Sequence, residues 1–315
     1  MTKKRTGDTP LDPDIVARID PAWTALGASW RRSLAARNLS ARTLGGYLDS
    51  HRRFGAYLCE HGMPQQAAAV KRAHVEAFIE RELAIHAPTT AATHYRNLQQ
   101  WWRWLLDEGE IDHSPMERMS APALPDAPPP VLAIEEVRVI LRACEGRDYL
   151  ARRDTAIIRM LVDSGVRLNE CAGILLQDVN LEAGEARVMG KRNRERIVGL
   201  GKRTVAALDR YQRLRAQHPH ADDPHLWLGQ RGALTDDGVY QIVRRRAEQA
   251  GLDGVYTHLF RHTFASEWLD GGGQEGDLME LAGWRSRGML DRYGRSARSR
   301  RARDAHKRLS PGDRI

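Results

Sequence analysis

"SAPALPDAPPPVL", Ser120 to Leu132, places five prolines in thirteen positions. Proline fixes φ and carries no backbone N–H, so this run can neither continue a helix nor sit inside a sheet. It reads as an extended linker over 120–132, and the segments on either side must each fold around a core of their own. A chain of 315 residues is long enough for two such cores.

Upstream of the linker the apolar spacing is helical. In "SARTLGGYLDSHRRFGAYLCEHG", Leu44, Tyr47, Leu48, Phe54 and Leu58 recur near the helical period, Ser40 and Thr43 offer capping oxygens, and Gly62 offers a stop. "WTALGASWRRSLAARNLS", "KRAHVEAFIERELAIH" and "TAATHYRNLQQWWRWLLDEGE" read the same way, with Trp101, Trp102 and Trp104 as core plus interface. No strand-like alternation intrudes, so 23–119 is expected to be an all-helical domain. Residues 1–22, polar and marked by Pro10, Pro13 and Pro21, read as a flexible arm.

Downstream, "AIEEVRVILRACEG" and "ARRDTAIIRMLVDSG" are helical candidates stopped by Gly146 and Gly165. "EARVMGKRNRERIVGL" alternates apolar positions on both sides of a basic turn, which predicts a β-hairpin. Helical patterns then resume. The expected fold is mainly α with a small antiparallel sheet: a domain over 133–300, then a strongly basic tail over 301–315.

The net charge of +8 favours a polyanionic partner, nucleic acid ahead of an anionic membrane surface. Cys59, Cys144 and Cys171 are odd in number and far apart, which suggests neither a disulfide framework nor a zinc knuckle. There is no apolar run long enough for a span and no apolar stretch in the first residues to make a signal peptide, so a soluble, cytoplasmic protein is expected.

Four segments could carry chemistry. In "YTHLFRHTFAS", His258 and Arg261 lie three residues apart and share a helix face, while Leu259, Phe264 and Trp268 are free to serve the core. In "DSGVRLNECAGIL", Arg167 follows a glycine stop and precedes Glu170 at helical spacing, a brace for a guanidinium aimed into a cleft or else an ordinary surface pair worth under about 1 kcal/mol. Lys191 occupies the tip of "VMGKRNRERIV", where a basic residue can serve solubility alone. "LAGWRSRGMLDRYGRS" places Tyr293 nine positions after Trp284. Three other stretches offer less. "HPHADDPH" lacks helical spacing for metal ligands and reads as a loop, and "GGGQEG" lacks the Gly-Lys-Ser/Thr of a P-loop and reads as a turn. "LTDDGVYQIVRRRAEQAG" is a helix with Val239, Ile242 and Val243 inward and Arg244 and Arg245 outward for DNA.

In this order the segments resemble the tyrosine recombinase, or phage integrase, family. "SGVRLNE" is similar to its arginine turn, "GKRNRER" to its lysine hairpin, "HLFRHTFAS" to its H-x-x-R helix, "LAGW" to its His/Trp turn and "RYG" to its nucleophilic tyrosine. The likeness extends over about 23–300 and covers the helical segment, which resembles the family's SAM-like core-binding domain. Trp284 stands where histidine is commoner, and Arg192 where glycine is usual.

The resemblance implies a site-specific recombinase that cleaves DNA through a 3′-phosphotyrosyl intermediate, with no metal and no ATP, as a homotetramer on two duplexes. Arg167 and Arg261 would clamp the phosphate that carries the developing charge, held in part by Glu170. Tyr293 would attack, His258 accept its proton, Lys191 protonate the leaving 5′ oxygen, and the Trp284 N–H bond a non-bridging oxygen. Arg192, Arg194, Arg244 and Arg245 would contact the duplex. Target site, the choice among integration, excision and resolution, and the need for an accessory DNA-bending protein stay open. Two rival readings are a topoisomerase-like nicking and closing enzyme and a catalytically idle DNA-binding regulator.

Overall fold

The computed structural model describes residues 11–124, 129–190, 194–290, 303, 306, 307, 309, 310 and 312–314. The chain divides into two compact units, Met1–Asp126 and Ala127–Ile315.

The first unit holds α1 (Pro13–Ala17), α2 (Pro21–Ala36), α3 (Ala41–Glu60), α4 (Arg72–Ile85) and α5 (Pro88–Asp107), with no strand among the described residues. Over residues 11–22 the flexible-arm expectation gives way to structure. Asp12 caps α1 by accepting from the Asp14 N–H, Asp20 caps α2 by accepting from the Ala22 N–H, and Pro13 and Pro21 open the two helices. An aspartate cap followed by proline is a helix start, because proline's missing N–H would have had no helical partner there. Ile19 is buried and Ile15 packs against the same core.

That core is aromatic. Trp23, Trp30, Trp101 and Trp102 are all essentially inaccessible, and His51 stacks on Trp23 with ring centroids 4.9 Å apart while meeting the Trp101 edge at 4.4 Å. Burial, with help from the Arg52 charge, pushes the His51 pKa down to about 3, so the ring is a neutral packing element. Ser50 Oγ lies 2.9 Å from His94 Nδ1 and accepts from Asn97 Nδ2 at 2.8 Å, tying α3 to α5.

The second unit contains α6 (Ile134–Ala143), α7 (Tyr149–Ser164), α8 (Leu168–Ala172), β1 (Val179–Asn180), β2 (Glu185–Gly190), β3 (Arg194–Gly199), α9 (Lys202–Arg215), β4 (Leu228–Gly229), β5 (Gly232–Ala233), α10 (Asp236–Gln249), α11 (Thr257–Asp270) and α12 (Glu275–Ala282). β1, β2 and β3 form an antiparallel sheet in that order, and β4 pairs with β5. The expected hairpin is β2–β3, in register Ala186 with Val198 and Val188 with Arg196. Its alternation buries Ala186, Val188 and Val198.

α11 is a central helix and not an amphipathic surface one. Leu259, Phe260, Arg261, Thr263, Phe264 and Ala265 are all buried, so the helix is enclosed around most of its circumference. Its Thr263 Oγ1 accepts from the Leu132 N–H at 2.9 Å, which pins the end of the proline-rich stretch to this core.

Two buried charges hold the surrounding elements. Asp154 of α7, fully buried, accepts from Arg153, from Arg245 Nη2 at 3.0 Å and from Arg246 Nε at 2.8 Å, fastening α10 to α7. Removing one partner of such a cluster typically costs about 3–5 kcal/mol, because the remaining charge stays buried. Arg215 of α9 donates to the carbonyls of Ala221, Asp223, His225 and Leu226 and so shapes the "HPHADDPH" stretch as a loop. Among the described residues no group of His, Cys, Asp and Glu side chains could hold a metal ion. The "GGGQEG" stretch turns from the end of α11 into the first residues of α12, closed by Trp268 Nε1 donating to the Gln274 carbonyl at 3.1 Å.

Candidate active site

The site begins where α7 stops. Gly165 adopts φ 59°, ends the helix and turns the chain so that Arg167 caps α8. A Cβ on Gly165 would lie 2.3 Å from Phe264 Cδ1, so both the left-handed backbone and the contact with α11 demand glycine here. Gly165→Ala should therefore destabilise the second unit. The left-handed conformation costs roughly 1–2 kcal/mol and the overpacking roughly 1–3 kcal/mol. Urea unfolding should show a lowered midpoint against Gly199→Ala, whose added methyl meets nothing within 4 Å. Equal midpoints for the two variants would contradict this account of the turn.

α12 ends in the same way. Gly283 takes φ 63°, the Trp284 N–H returns to the Met279 carbonyl at 2.8 Å, and Trp284 leaves the helix buried. Arg261 connects the two turns. Its Nη1 donates to the Gly165 carbonyl at 2.6 Å, its Nη2 to the Ala282 carbonyl at 2.5 Å, and its guanidinium carbon stands 5.5 Å from the centre of the Trp284 ring. Two of the five guanidinium donors are thus committed to backbone oxygens, and Arg261 is a strut between segments as well as a cation.

Arg167 is the more accessible cation: its side chain is 34% exposed. Its Nη1 donates to Glu170 Oε1 at 2.7 Å and its backbone N–H to Glu170 Oε2 at 2.8 Å. Glu170 is completely buried and is shared with Arg196 of β3, which donates Nη1 to Oε1 at 2.9 Å and Nη2 to Oε2 at 2.8 Å. Burial alone would raise the Glu170 pKa. The Arg196 hydrogen bonds, the Arg167 N–H and the arginine charges outweigh it and hold the carboxyl at about 2. His258, at the start of α11, has its pKa lowered by partial desolvation and then by the Arg261 and Arg167 charges, which keeps the ring neutral around pH 7. His262, the helix neighbour of His258, meets it edge to face at 5.3 Å between ring centres.

The structure therefore gathers Arg167, Glu170, His258, Arg261 and Trp284, drawn from three separated sequence segments. Lys191, Arg192 and Tyr293 lie outside the described residues. Arg194 is exposed at the start of β3, opposite Gly190. Arg244 pairs with Glu248 at 2.7 Å on α10, and Arg245 reaches Asp154, so part of the charge expected to face outward is already engaged. Sequence reasoning passed over Arg196. It closes the "GKRNRER" hairpin motif but was given no role, and the partners that give it meaning lie on α8 and α12.

The model of the phage integrase family matches residues 130–300. The chain is 31% identical over 249 residues to the tyrosine recombinase XerC of Azotobacter vinelandii (strain DJ / ATCC BAA-1303), covering 78% of this chain and 83% of that protein. Among solved structures, XerH site-specific recombinase bound to palindromic difH substrate in a post-cleavage complex aligns with a TM-score of 0.71 at 20% identity, over 88% of this chain and 82% of that one. A lambda integrase tetramer bound to a Holliday junction aligns with a TM-score of 0.67 at 16% identity, over 87% and 82%. The chain belongs to the phage integrase family of tyrosine recombinases. It is a site-specific DNA recombinase, an enzyme that breaks and rejoins DNA strands.

Proposed function

We propose that Tyr293 attacks a phosphodiester of duplex DNA, forming a bond from its phenolic oxygen to phosphorus while the bond to the 5′ oxygen breaks. His258 takes the phenol proton, Lys191 gives a proton to the departing 5′ oxygen, and the product is a 3′-phosphotyrosyl enzyme with a free 5′ hydroxyl. Attack by a 5′ hydroxyl on that intermediate reseals the strand, so no outside energy source enters. Arg167 and Arg261 stabilise the charge that builds on the non-bridging oxygens, and the Trp284 N–H adds a donor. The observation that carries this reading is Arg261, which grips the turn before Arg167 and the turn before Trp284 at once. The lowered pKa of His258 supports its role as a base, since a proton acceptor must be neutral beforehand.

On this reading residues 23–119 are a DNA-contacting domain, 120–132 its linker and 133–300 the catalytic domain, with a basic tail at 301–315. Arg192, Arg194, Arg244 and Arg245 supply duplex contacts. A homotetramer on two DNA sites is the working assembly, in keeping with the lambda integrase tetramer on its junction. No described helix is long and apolar enough to cross a membrane, and we place the enzyme in the cytoplasm with the nucleoid. Every chemical step is assigned to a side chain. Covalent protein–DNA adducts captured from cells and sequenced at their 3′ ends should therefore map to a defined site, and the purified enzyme should cut that site undiminished in EDTA. A strict Mg²⁺ requirement would contradict the mechanism, and adducts scattered without a preferred sequence would favour the topoisomerase-like reading.

A further inference from the structure

Arg196 occupies a singular place in the second unit. Its two Nη atoms hold both oxygens of the buried Glu170 carboxylate, and its Nε donates to the Leu281 carbonyl at 2.8 Å, one residue before the carbonyl that Arg261 grips. A Cβ on Gly283 would lie 3.4 Å from Arg196 Cδ, and one on Gly190 would lie 3.3 Å from Glu170 Oε1. The end of β2 and the turn before Trp284 thus both close on this pair.

We infer that Arg196 is a positioning residue for catalysis: it orients Glu170, and through Glu170 the guanidinium of Arg167, toward the scissile phosphate. The inference rests on the site reading above. Arg196 meets the carboxylate as a two-pronged fork, whereas the Arg167 side chain gives it a single Nη. The fork and the Arg167 backbone N–H therefore set the angle of the carboxylate. Exposure follows the same division, 34% for Arg167 and 11% for Arg196. Charge points the same way. One carboxylate between two guanidinium groups leaves a net positive charge for the phosphate. Without Arg196 both carboxylate oxygens could turn to Arg167 and neutralise the cation that the reaction needs. Lysine would keep the charge but not the fork.

The test compares wild type, Arg196→Ala, Arg167→Ala and the double variant in single-turnover cleavage of a nicked duplex carrying the mapped target, at saturating enzyme, with duplex affinity measured separately. Arg196→Ala should bind normally and cut about 10²-fold more slowly, the scale of a misplaced catalytic group. The double variant should be no slower than Arg167→Ala alone, because a residue that acts through another adds nothing once that other is gone. Arg196→Lys should stay slow, and it carries the same comparison if Arg196→Ala fails to fold. The inference is overturned if Arg196→Ala cuts at the wild-type rate, if the losses multiply in the double variant, or if lysine restores full activity. A wild-type enzyme that forms no Tyr293-dependent adduct would instead remove the site reading, and the inference with it.

Discussion

Tyr293→Phe will bind its target duplex like the wild type and form no covalent adduct. On the proposed mechanism the substitution removes one oxygen, the attacking atom, and leaves the arginines assigned to the phosphate in place. Tyrosine has an ordinary pKa near 10, so attack needs a proton acceptor and a field of positive charge. Arg167, Arg261 and the lowered pKa of His258 provide the setting for both. Denaturing gels of enzyme mixed with a nicked suicide duplex read the adduct directly. An adduct of undiminished yield from Tyr293→Phe would sink the assignment of the nucleophile. Absence of any adduct from the wild type on its own site would favour the idle regulator instead.

Lys191→Ala should slow cleavage by roughly 10²- to 10⁴-fold, the range of a lost general acid. The 5′ oxygen departs as an alkoxide unless it is protonated as it leaves. A duplex with sulfur at that bridging position needs no such help, because a thiol with a pKa near 8.5 leaves readily as thiolate. The variant should then regain nearly the wild-type rate, while Arg167→Ala, which removes charge stabilisation elsewhere, should gain little. If sulfur rescues both variants equally or neither, Lys191 is not the acid, and Arg192 and Arg194 become the groups to test.

What the sequence made legible follows from distance along the chain. The β2–β3 hairpin, the glycine stop at Gly165, and the shared face of His258 and Arg261 are local patterns, set by neighbours within a few residues. Arg196 was opaque because its partners Glu170 and Leu281 come from other elements, and strand alternation alone makes an arginine look solvated. His51 was opaque for the same reason. It lies among tryptophans of α2 and α5 that no short window contains, and only that enclosure makes it a core residue. The start of the helical unit was misread for a different reason. The prolines of "LDPD" and "DPAW" suggested an unstructured arm, although proline after an aspartate cap is the first residue of a helix. Arg245 illustrates the limit for charge patterns: its helix face was readable, but the buried Asp154 that draws it in was not.

The grip of Arg261 also has a consequence for the order of synthesis. A ribosome delivers the Gly165 carbonyl first, then Arg261 itself, and only afterwards Ala282 and Trp284, with Tyr293 following them. A nascent chain that has just released α11 can tether its arginine to the earlier turn, but the second anchor has not yet been made. Folding runs ahead from the N-terminus at the pace of translation, so the first unit is complete well before the second can be. A copy interrupted before Ala282 therefore lacks the finished strut, and with it the second anchor that holds Arg261 beside Trp284.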